Sequence, residues 1–363
     1  MKKFLLGFAL FGWLALTFGS PAQAKSKIQY RDPVKKSKEG IPLVTETSGT
    51  IKSESPVQVV LESSTGKDRV IKAADIVDIY YEVKSPDVRK SYGRAHSAET
   101  ITAVSKTSSP AVKRDALKTA LTEYQKLVLQ VAGTPFVERE FQYRVAYLTT
   151  ELAGDNKAQR QEAVNLLEKF TKAHSGGWQI VPAIRSLAQL SMDMGAFDKA
   201  AAAWDNLKKV PGIPEEMKLE CDLNAIDALT RGKKAAEAEA RLNTVLATLP
   251  KNSPQHKILT RKLIAIKSTL PGKLDEALKL LRQERDAAKT PAEIAAGYNA
   301  LGEVCRSNGK VRDAMWEFLY VDLIFNQDKA QHKIAVTQLV QVFKELGDAA
   351  KSKEYEEKLK TLP

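Results

Sequence analysis

Cysteine is scarce in this chain, which has two, Cys221 and Cys305, among 363 residues. So few thiols exclude the disulfide-dense class of small secreted domains, and no CxxC pair is present for a redox or zinc site. The two cysteines lie 84 positions apart, and a bridge would require their Cα atoms to lie within about 7 Å. We expect two small, buried, free thiols instead.

Catalytic signatures are missing as well. The sequence contains no HExxH or GxSxG motif, and its four histidines are scattered at positions 96, 174, 256 and 332. Its Gly-Lys pairs lack the second glycine and the Ser or Thr of a phosphate-binding loop. Adjacent carboxylates such as Glu215 and Glu216 diverge by about 100° on a helix and do not face one substrate. We predict a non-catalytic protein without metal or cofactor; an unrecognised enzyme is the alternative.

Long apolar runs are limited to the N-terminus, where residues 4–18 follow Lys2 and Lys3. The run is short for the ~20 residues of a membrane-spanning helix. It is followed by Gly19-Ser20-Pro21 and by Ala22-Gln23-Ala24, which is typical of a signal-peptide cleavage site. We therefore predict export to the periplasm or the medium, with residues 1–24 removed after Ala24. A permanent membrane anchor is the alternative; no later segment is apolar enough to span a bilayer.

The charge balance is basic. The formal net charge is +12, or +10 once Lys2 and Lys3 are removed (12 − 2). Lysines alternate with acids throughout, and no block of five like charges occurs. Such a balance suits contact with an anionic envelope polymer or an acidic partner, and it equally suits an ordinary solubilising surface.

Residues 28–83 differ from the rest of the chain because β-branched and aromatic residues alternate between turn signals. Residues 57–61 and 76–83 carry this pattern, and Gly66 lies in a polar turn between them. We predict four or five short antiparallel strands forming a small β domain over residues 25–85. It is similar to an SH3-like or Sm-like barrel. An Sm-like barrel would suggest RNA, but an export signal argues against nucleic acid as a partner.

Aromatic residues of this β domain are candidates for a binding surface. Tyr30, Tyr80 and Tyr81 could present such a surface, or they could be half-buried strand residues. The next segment, residues 86–110, is rich in Ser and Thr, and we interpret it as a semi-flexible linker in which a short helix has room to form.

From residue 111 to the C-terminus the sequence is helical and repetitive. An alanine that begins a second helix recurs at intervals of 37, 38, 39, 37 and 36 residues. A glycine falls between the two helices of five successive pairs, where it can adopt a positive φ. The recurring alanines are Ala163, Ala200, Ala238, Ala277, Ala314 and Ala350, and the glycines are Gly195, Gly232, Gly272, Gly309 and Gly347. A nearly constant period predicts stacked helix pairs.

Two copies of the repeat resemble the tetratricopeptide repeat (TPR). The better copy has a large residue, then Leu-Gly, a medium-sized residue, an alanine and an aromatic residue, all at the TPR spacing. The second copy is a fair match. They consist of Tyr298, Leu301, Gly302, Cys305, Ala314 and Phe318, and of Ile184, Leu187, Ala188, Ala200 and Trp204. The period exceeds the 34 residues of the family. The resemblance, which extends from Arg139 to the end, implies a mainly α fold: a TPR-like α-solenoid of about six helix pairs preceded by the small all-β, SH3-like domain.

The resemblance also implies a function. First helices of TPR proteins line a concave groove that holds peptides or partner helices, so we expect an exported scaffold for protein–protein interaction. The alternative is a module that binds peptidoglycan or another anionic polymer through its β domain. The positions that map to the groove are Arg185, Gln189, Lys262, Asn299, Glu303, Arg306 and Lys344. Cationic side chains there suit carboxylates of a partner, and an amide suits its backbone.

Overall fold

A computed structural model describes residues 25–37, 40–63, 66–104, 109–131, 133–251 and 253–362, the side chains of residues 101–104 excepted. The predicted signal peptide and residues 105–108 of the predicted linker lie outside these ranges. The described chain is mainly α, with a small antiparallel sheet at its N-terminal end. It divides into two compact units, one up to Cys221 and one from Asp222 onward.

The first unit begins with five antiparallel strands in the order β4-β3-β2-β1-β5. They are β1 (Ser26–Lys36), β2 (Pro42–Glu54), β3 (Gln58–Glu62), β4 (Asp68–Lys72) and β5 (Ile76–Tyr80), with a 3₁₀ turn at Ala73–Asp75. Alternate residues point inward, and Ile28, Leu61 and Ile79 are fully buried. The predicted antiparallel sheet is therefore present, with five strands.

Helices follow in sequence after the sheet. In the first unit they are α1 (Pro86–Val104), α2 (Pro110–Val128), α3 (Pro135–Ala153), α4 (Lys157–Ala173), α5 (Ile180–Asp193) and α6 (Phe197–Lys208). α7 (Glu215–Arg231) contains the division between the units. Packing occurs between α1 and α2, between α3 and α4, and between α5 and α6.

The segment predicted as a linker is mostly helix. α1 occupies residues 86–104, buries Tyr92 and Ala95, and packs against α2. Its Ser and Thr content resembled a connector, but Val88, Tyr92 and Ala95 lie on its buried side. The domain limits at residues 85 and 110 remain predictions.

The second unit continues the helix pairs. It contains α8 (Ala235–Thr248), α9 (Pro254–Ser268), α10 (Leu274–Asp286), α11 (Pro291–Ser307), α12 (Val311–Leu323), α13 (Lys329–Glu345) and α14 (Ala349–Thr361). α9 packs on α10, α11 on α12, and α13 on α14, while α11 also contacts α9 and α13. One apolar core runs from Ala265 to Tyr355, so each pair buries its face against the next.

The recurring small residues have the predicted packing role. Ala163, Ala200, Ala238, Ala277 and Ala314 are all buried, with exposed fractions of 3% or less. Gly302 faces Phe318 across the α11–α12 pair, and a Cβ at position 302 would lie 2.6 Å from the Phe318 ring. The last of the recurring alanines does not have this role: Ala350 is exposed, and Ser352 takes the buried position. Ser352 lies 38 residues after Ala314 (352 − 314), which preserves the period.

Neither Cys221 nor Cys305 is part of a disulfide, and both are buried, as the spacing predicted.

Candidate functional site

Two of the predicted groove residues line a surface depression in the first unit. Arg185 and Gln189 on α5 face Thr150 and Glu151 on α3 around a depression of about 470 Å³. Arg185 donates to Glu220 of α7 at 2.7 Å, and Gln189 donates to Asp193 at 2.9 Å. The depression therefore lies between consecutive first helices, and most of its lining residues are of polar types.

Electrostatics in this depression are mixed. Burial, together with the charge of Glu99, raises the pKa of the Glu151 carboxyl on its α3 wall. Arg160, which also lines the depression, pairs with Asp155 at 2.6 Å. Side chains of both signs are thus available to a partner that offers hydrogen bonds as well as charge.

The other five predicted residues lie along α9, α11 and α13 of the second unit. Glu303 keeps contact with water, but surrounding protein displaces much of its hydration, and this partial burial raises the pKa of its carboxyl. The positive charges of Lys262 and Arg306 act in the opposite direction on the same pKa. Arg306 also donates to Gln338 at 2.7 Å and pairs with Glu345 at 2.6 Å. Lys262, Glu303 and Arg306 are therefore close together.

The remaining two predicted residues, Asn299 and Lys344, bond to other side chains of this chain. Asn299 is buried, and its amide nitrogen donates to the backbone oxygen and the side chain of Gln331, both at 3.0 Å. Lys344 pairs at 2.6 Å with Glu356 of α14. The structure thus places Asn299 as a tie between α11 and α13, and Lys344 beside the final helix.

A buried polar network joins the sheet to the helices of the first unit, and sequence reasoning missed it. Arg144 of α3 pairs with Asp78 of β5, with Glu99 at 2.7 Å and with Glu140 at 2.6 Å. Burial would raise the pKa of Asp78, but Arg144 and His96 hold it well below its usual range. Burial raises the pKa of Glu140.

A second part of this network surrounds Tyr81. Its hydroxyl accepts from Trp178 at 2.9 Å and from Gln179 at 3.1 Å, while Arg139 pairs with Glu54 of β2. Burial raises the pKa of Glu54, against the charge of Arg139. No signal in the sequence marks these charged residues as buried, because their spacing on α3 also fits a solvated face.

The three tyrosines proposed for a binding surface do not form one. Tyr30 and Tyr81 are buried, with exposed fractions of 7% and 2%. Tyr80 is partly covered by Tyr92, whose ring stacks on it with centroids 4.3 Å apart. The structure thus favours the expectation that they are strand residues packed against the core.

The histidines are held by separate neighbours. His96 lies 2.6 Å from Asp78, His332 lies 2.7 Å from Asp322, and His174 bonds Gln142 at 2.9 Å. Across the part of the chain that the structure describes, no group of three His, Cys, Asp or Glu side chains is placed to hold a metal ion. Among the same residues, no helix combines the length and apolarity needed to cross a bilayer.

Comparison with known proteins gives distant similarities. No family model and no curated protein matches the chain. A tetratricopeptide repeat protein from Parabacteroides merdae is 12% identical, with a TM-score of 0.43 over 75% of this chain and 93% of that chain. TPR-like repeats described as those of a Podosopora anserina kinesin light chain are 21% identical, with a TM-score of 0.34 over 52% and 94%.

The apo form of RapI is 17% identical, with a TM-score of 0.36 over 75% of this chain and 81% of that chain. The fold assignment rests on the packing of the helix pairs themselves. Similarity at this distance assigns no function.

Proposed function

We propose that this protein is an exported, non-catalytic scaffold that binds a protein or peptide partner on its first helices. The observation that carries the proposal is the depression between α3 and α5, because Arg185 and Gln189, selected from the repeat pattern, both line it. A pre-formed surface on packed helices loses little ordering free energy on binding. In the second unit, helix pairs that bury one continuous core provide the rigid support that a first-helix surface there needs.

The second unit supplies a further first-helix surface. Lys262, Glu303 and Arg306 bring charges of both signs to neighbouring positions on α9 and α11. Since Arg306 and Arg185 already form ion pairs with Glu345 and Glu220, a partner's carboxylates would compete for guanidinium groups that are held in place. This arrangement favours a partner with several polar contacts over one with a single charge.

The proposal is tested by site-specific photo-crosslinking in the envelope fraction. A benzophenone amino acid replaces Gln189 or Glu303, and the matched control replaces Gln161, which is exposed on second helix α4. We expect a discrete protein adduct from positions 189 and 303 and none from 161. Equal adducts from all three positions, or adducts of glycan alone, would reject the assignment to the first helices.

Export is part of the proposal and rests on residues 1–24. The basic start, the apolar run and Ala22-Gln23-Ala24 support removal by a signal peptidase. The mature chain purified from the envelope should begin at Lys25 by intact mass. A chain that retains residues 1–24 would instead support a permanent anchor.

The sheet fits an SH3-like barrel in its connectivity. The first four strands form a meander, the last strand returns to pair with β1, and a 3₁₀ turn precedes it. β2 pairs with β1 over one part of its length and with β3 over the other, as a strand shared between two halves of a barrel does. These features support the SH3-like assignment within the proposal.

A further inference from the structure

A second depression in the first unit is walled by second helices of the helix pairs. It has a volume of about 520 Å³ and lies between second helices α4 and α6, with first helix α5 as its floor. Ile180, Ile184 and Leu187 form this floor, and Ala202 and Ala203 form part of the α6 wall. We call it the α4–α6 cleft. Its volume is in the range of pockets that hold an apolar ligand group.

Small side chains line the cleft at positions where the second unit has large ones. Counting from Ala200 and Ala314, Ala202 corresponds to Trp316 (202 − 200 = 316 − 314). By the same count, Asn206 corresponds to Tyr320. Position 202 thus carries only a methyl group where α12 carries Trp316, a surface side chain that is 61% exposed.

The floor and the other wall follow the same rule. Ile184 corresponds to Tyr298, and Thr171 corresponds to Arg285. In the second unit the Arg285 guanidinium lies 4.8 Å from the Tyr298 ring centroid, and Tyr320 stacks on that ring at 5.0 Å. Around Tyr298 these large side chains build up the surface, whereas Thr171 and Asn206 are short and border a depression above Ile184, which is itself 6% exposed.

Lysines surround the cleft. Lys172, Lys199 and Lys209 line it and are exposed, and Glu168 is the single carboxylate among its lining residues, which gives a net charge of +2 (3 − 1). Lys199 pairs with Glu168 at 2.9 Å. Among the described residues, no carboxylate lies within ion-pair distance of Lys172 or Lys209. His174 adds no cation at neutral pH, since burial and the charge of Arg139 lower its pKa.

We propose that the α4–α6 cleft is a second docking site, which binds an acidic partner segment through its bulky apolar side chains. Apolar anchors would fill the depression against Ala202 and the small exposed edges of Ile184 and Leu187, and flanking carboxylates would meet Lys172 and Lys209. Burial of an anchor supplies affinity, and charge complementarity sets the preference for acidic over basic segments. This surface is separate from the first-helix depression, so two partners, or two parts of one partner, can bind together.

A designed helical probe tests the proposal on the mature chain. The probe is a fluorescent peptide of about 15 residues with Leu at i, i+3, i+4 and i+7 and Glu on both flanks. A control peptide, the Lys probe, carries Lys in place of Glu. In fluorescence anisotropy at physiological ionic strength we expect saturable binding of the Glu probe and binding of the Lys probe that is at least about tenfold weaker.

Variants locate the binding. Ala202→Trp, which adds a bulky side chain to the α6 wall of the cleft, should weaken binding of the Glu probe about tenfold. Lys172→Glu with Lys209→Glu should do the same, while the exposed control pair Lys279→Glu with Lys353→Glu leaves binding within about twofold.

The proposal is overturned if neither probe saturates, if both probes bind equally, or if Ala202→Trp leaves binding unchanged. Circular dichroism of each variant confirms that the helices are intact. Failure here does not affect the first-helix proposal, whose crosslinks at Gln189 and Glu303 are on other surfaces.

Discussion

At the scale of single residues, the turns between paired helices show what each repeat requires of its backbone. Gly309 has φ +76°, its N–H donates to Arg306 at 3.0 Å, and the next N–H donates to Cys305 at 2.9 Å. This pair of bonds is a Schellman ending, which needs a left-handed residue. Gly195 and Gly347 occupy the same position with φ +72° and +77°.

The α7–α8 turn departs from this rule. Gly232 was expected to hold the left-handed position, but Lys233 holds it, with φ +59° and with its N–H bonded to Thr230 at 3.1 Å. The sequence predicted the turn correctly but placed its left-handed residue one position too early. Glycine was the expected residue for that conformation, whereas the hydrogen bonds of the structure assign it to the residue that follows.

Lys233→Gly should therefore stabilise the protein. A left-handed conformation costs a non-glycine residue about 1–2 kcal/mol, and the added freedom of glycine in the unfolded chain offsets about half of this. We expect a gain of about 0.5–1 kcal/mol in the free energy of unfolding by urea. Gly309→Lys is the matched control and should lose a similar amount; an unchanged or lower stability of Lys233→Gly would contradict the assigned turn.

At the scale of elements, helix pairs are held by close contact at a few small residues. Gly302 of α11 lets the Phe318 ring of α12 approach to a distance that excludes a Cβ. The recurring alanines, the inter-helix glycines and the prolines that begin α9 and α11 were readable from the sequence because each has a local steric cause. Bounds of the helices follow from these residues and from caps such as Ser253 and Thr290.

Gly302→Ala tests this contact. The added methyl group would clash with Phe318, and overpacking of this kind costs about 1–3 kcal/mol. Thermal unfolding should shift downward, and Phe318→Leu in the same chain should recover part of the loss relative to the sum of the two single changes. Strictly additive effects would show that the two residues do not touch.

The contacts between the sheet and α3 include two carboxyl groups, those of Glu54 and Asp78. Folding shifts their pKa values in opposite directions. The folded-state pKa of Glu54 is raised above the unfolded value of about 4.3, so its contribution to folding is present below that pH and lost as pH rises. The pKa of Asp78 is lowered below about 3.9, so its contribution is present above that pH and lost as pH falls.

Stability measured against neutral variants should show both signs. Relative to Glu54→Gln, the natural protein should lose unfolding free energy as pH rises from about 4 to 8. Relative to Asp78→Asn, it should gain unfolding free energy as pH rises from about 2 to 5. Urea midpoints across this range are the measurement, and slopes of the same sign at both sites would contradict the network.

At the scale of the whole molecule, the sequence predicted which regions form helix pairs and which form a sheet. It did not predict the polar network that connects the sheet to the helices of the first unit. Periodicity and strand alternation predict helix pairs and a sheet, since both depend on local spacing. Glu54, Asp78, Arg139 and Arg144 are brought together only by tertiary folding, and as isolated charges they look like surface residues. The predicted groove positions lie on first helices, and Asn299 bonds within the chain; their role in binding a partner stays a prediction.

The connection between the sheet and the helices also bears on function. Because Tyr81 and Asp78 of the sheet region are buried against α3 and the Trp178 segment, residues 25–85 share their core with the helices. A polymer-binding role for these residues in isolation has no support in this arrangement, whereas the first-helix surfaces remain open.

Hydrogen–deuterium exchange of the mature protein with its crosslinked partner, compared with the free protein, tests the central claim most directly. We predict slower exchange in α3 and α5 around Gln189, and in α9 and α11 around Glu303, with α8, α10 and α12 unchanged. Slower exchange confined to the sheet or to those second helices would contradict a partner bound on the first helices.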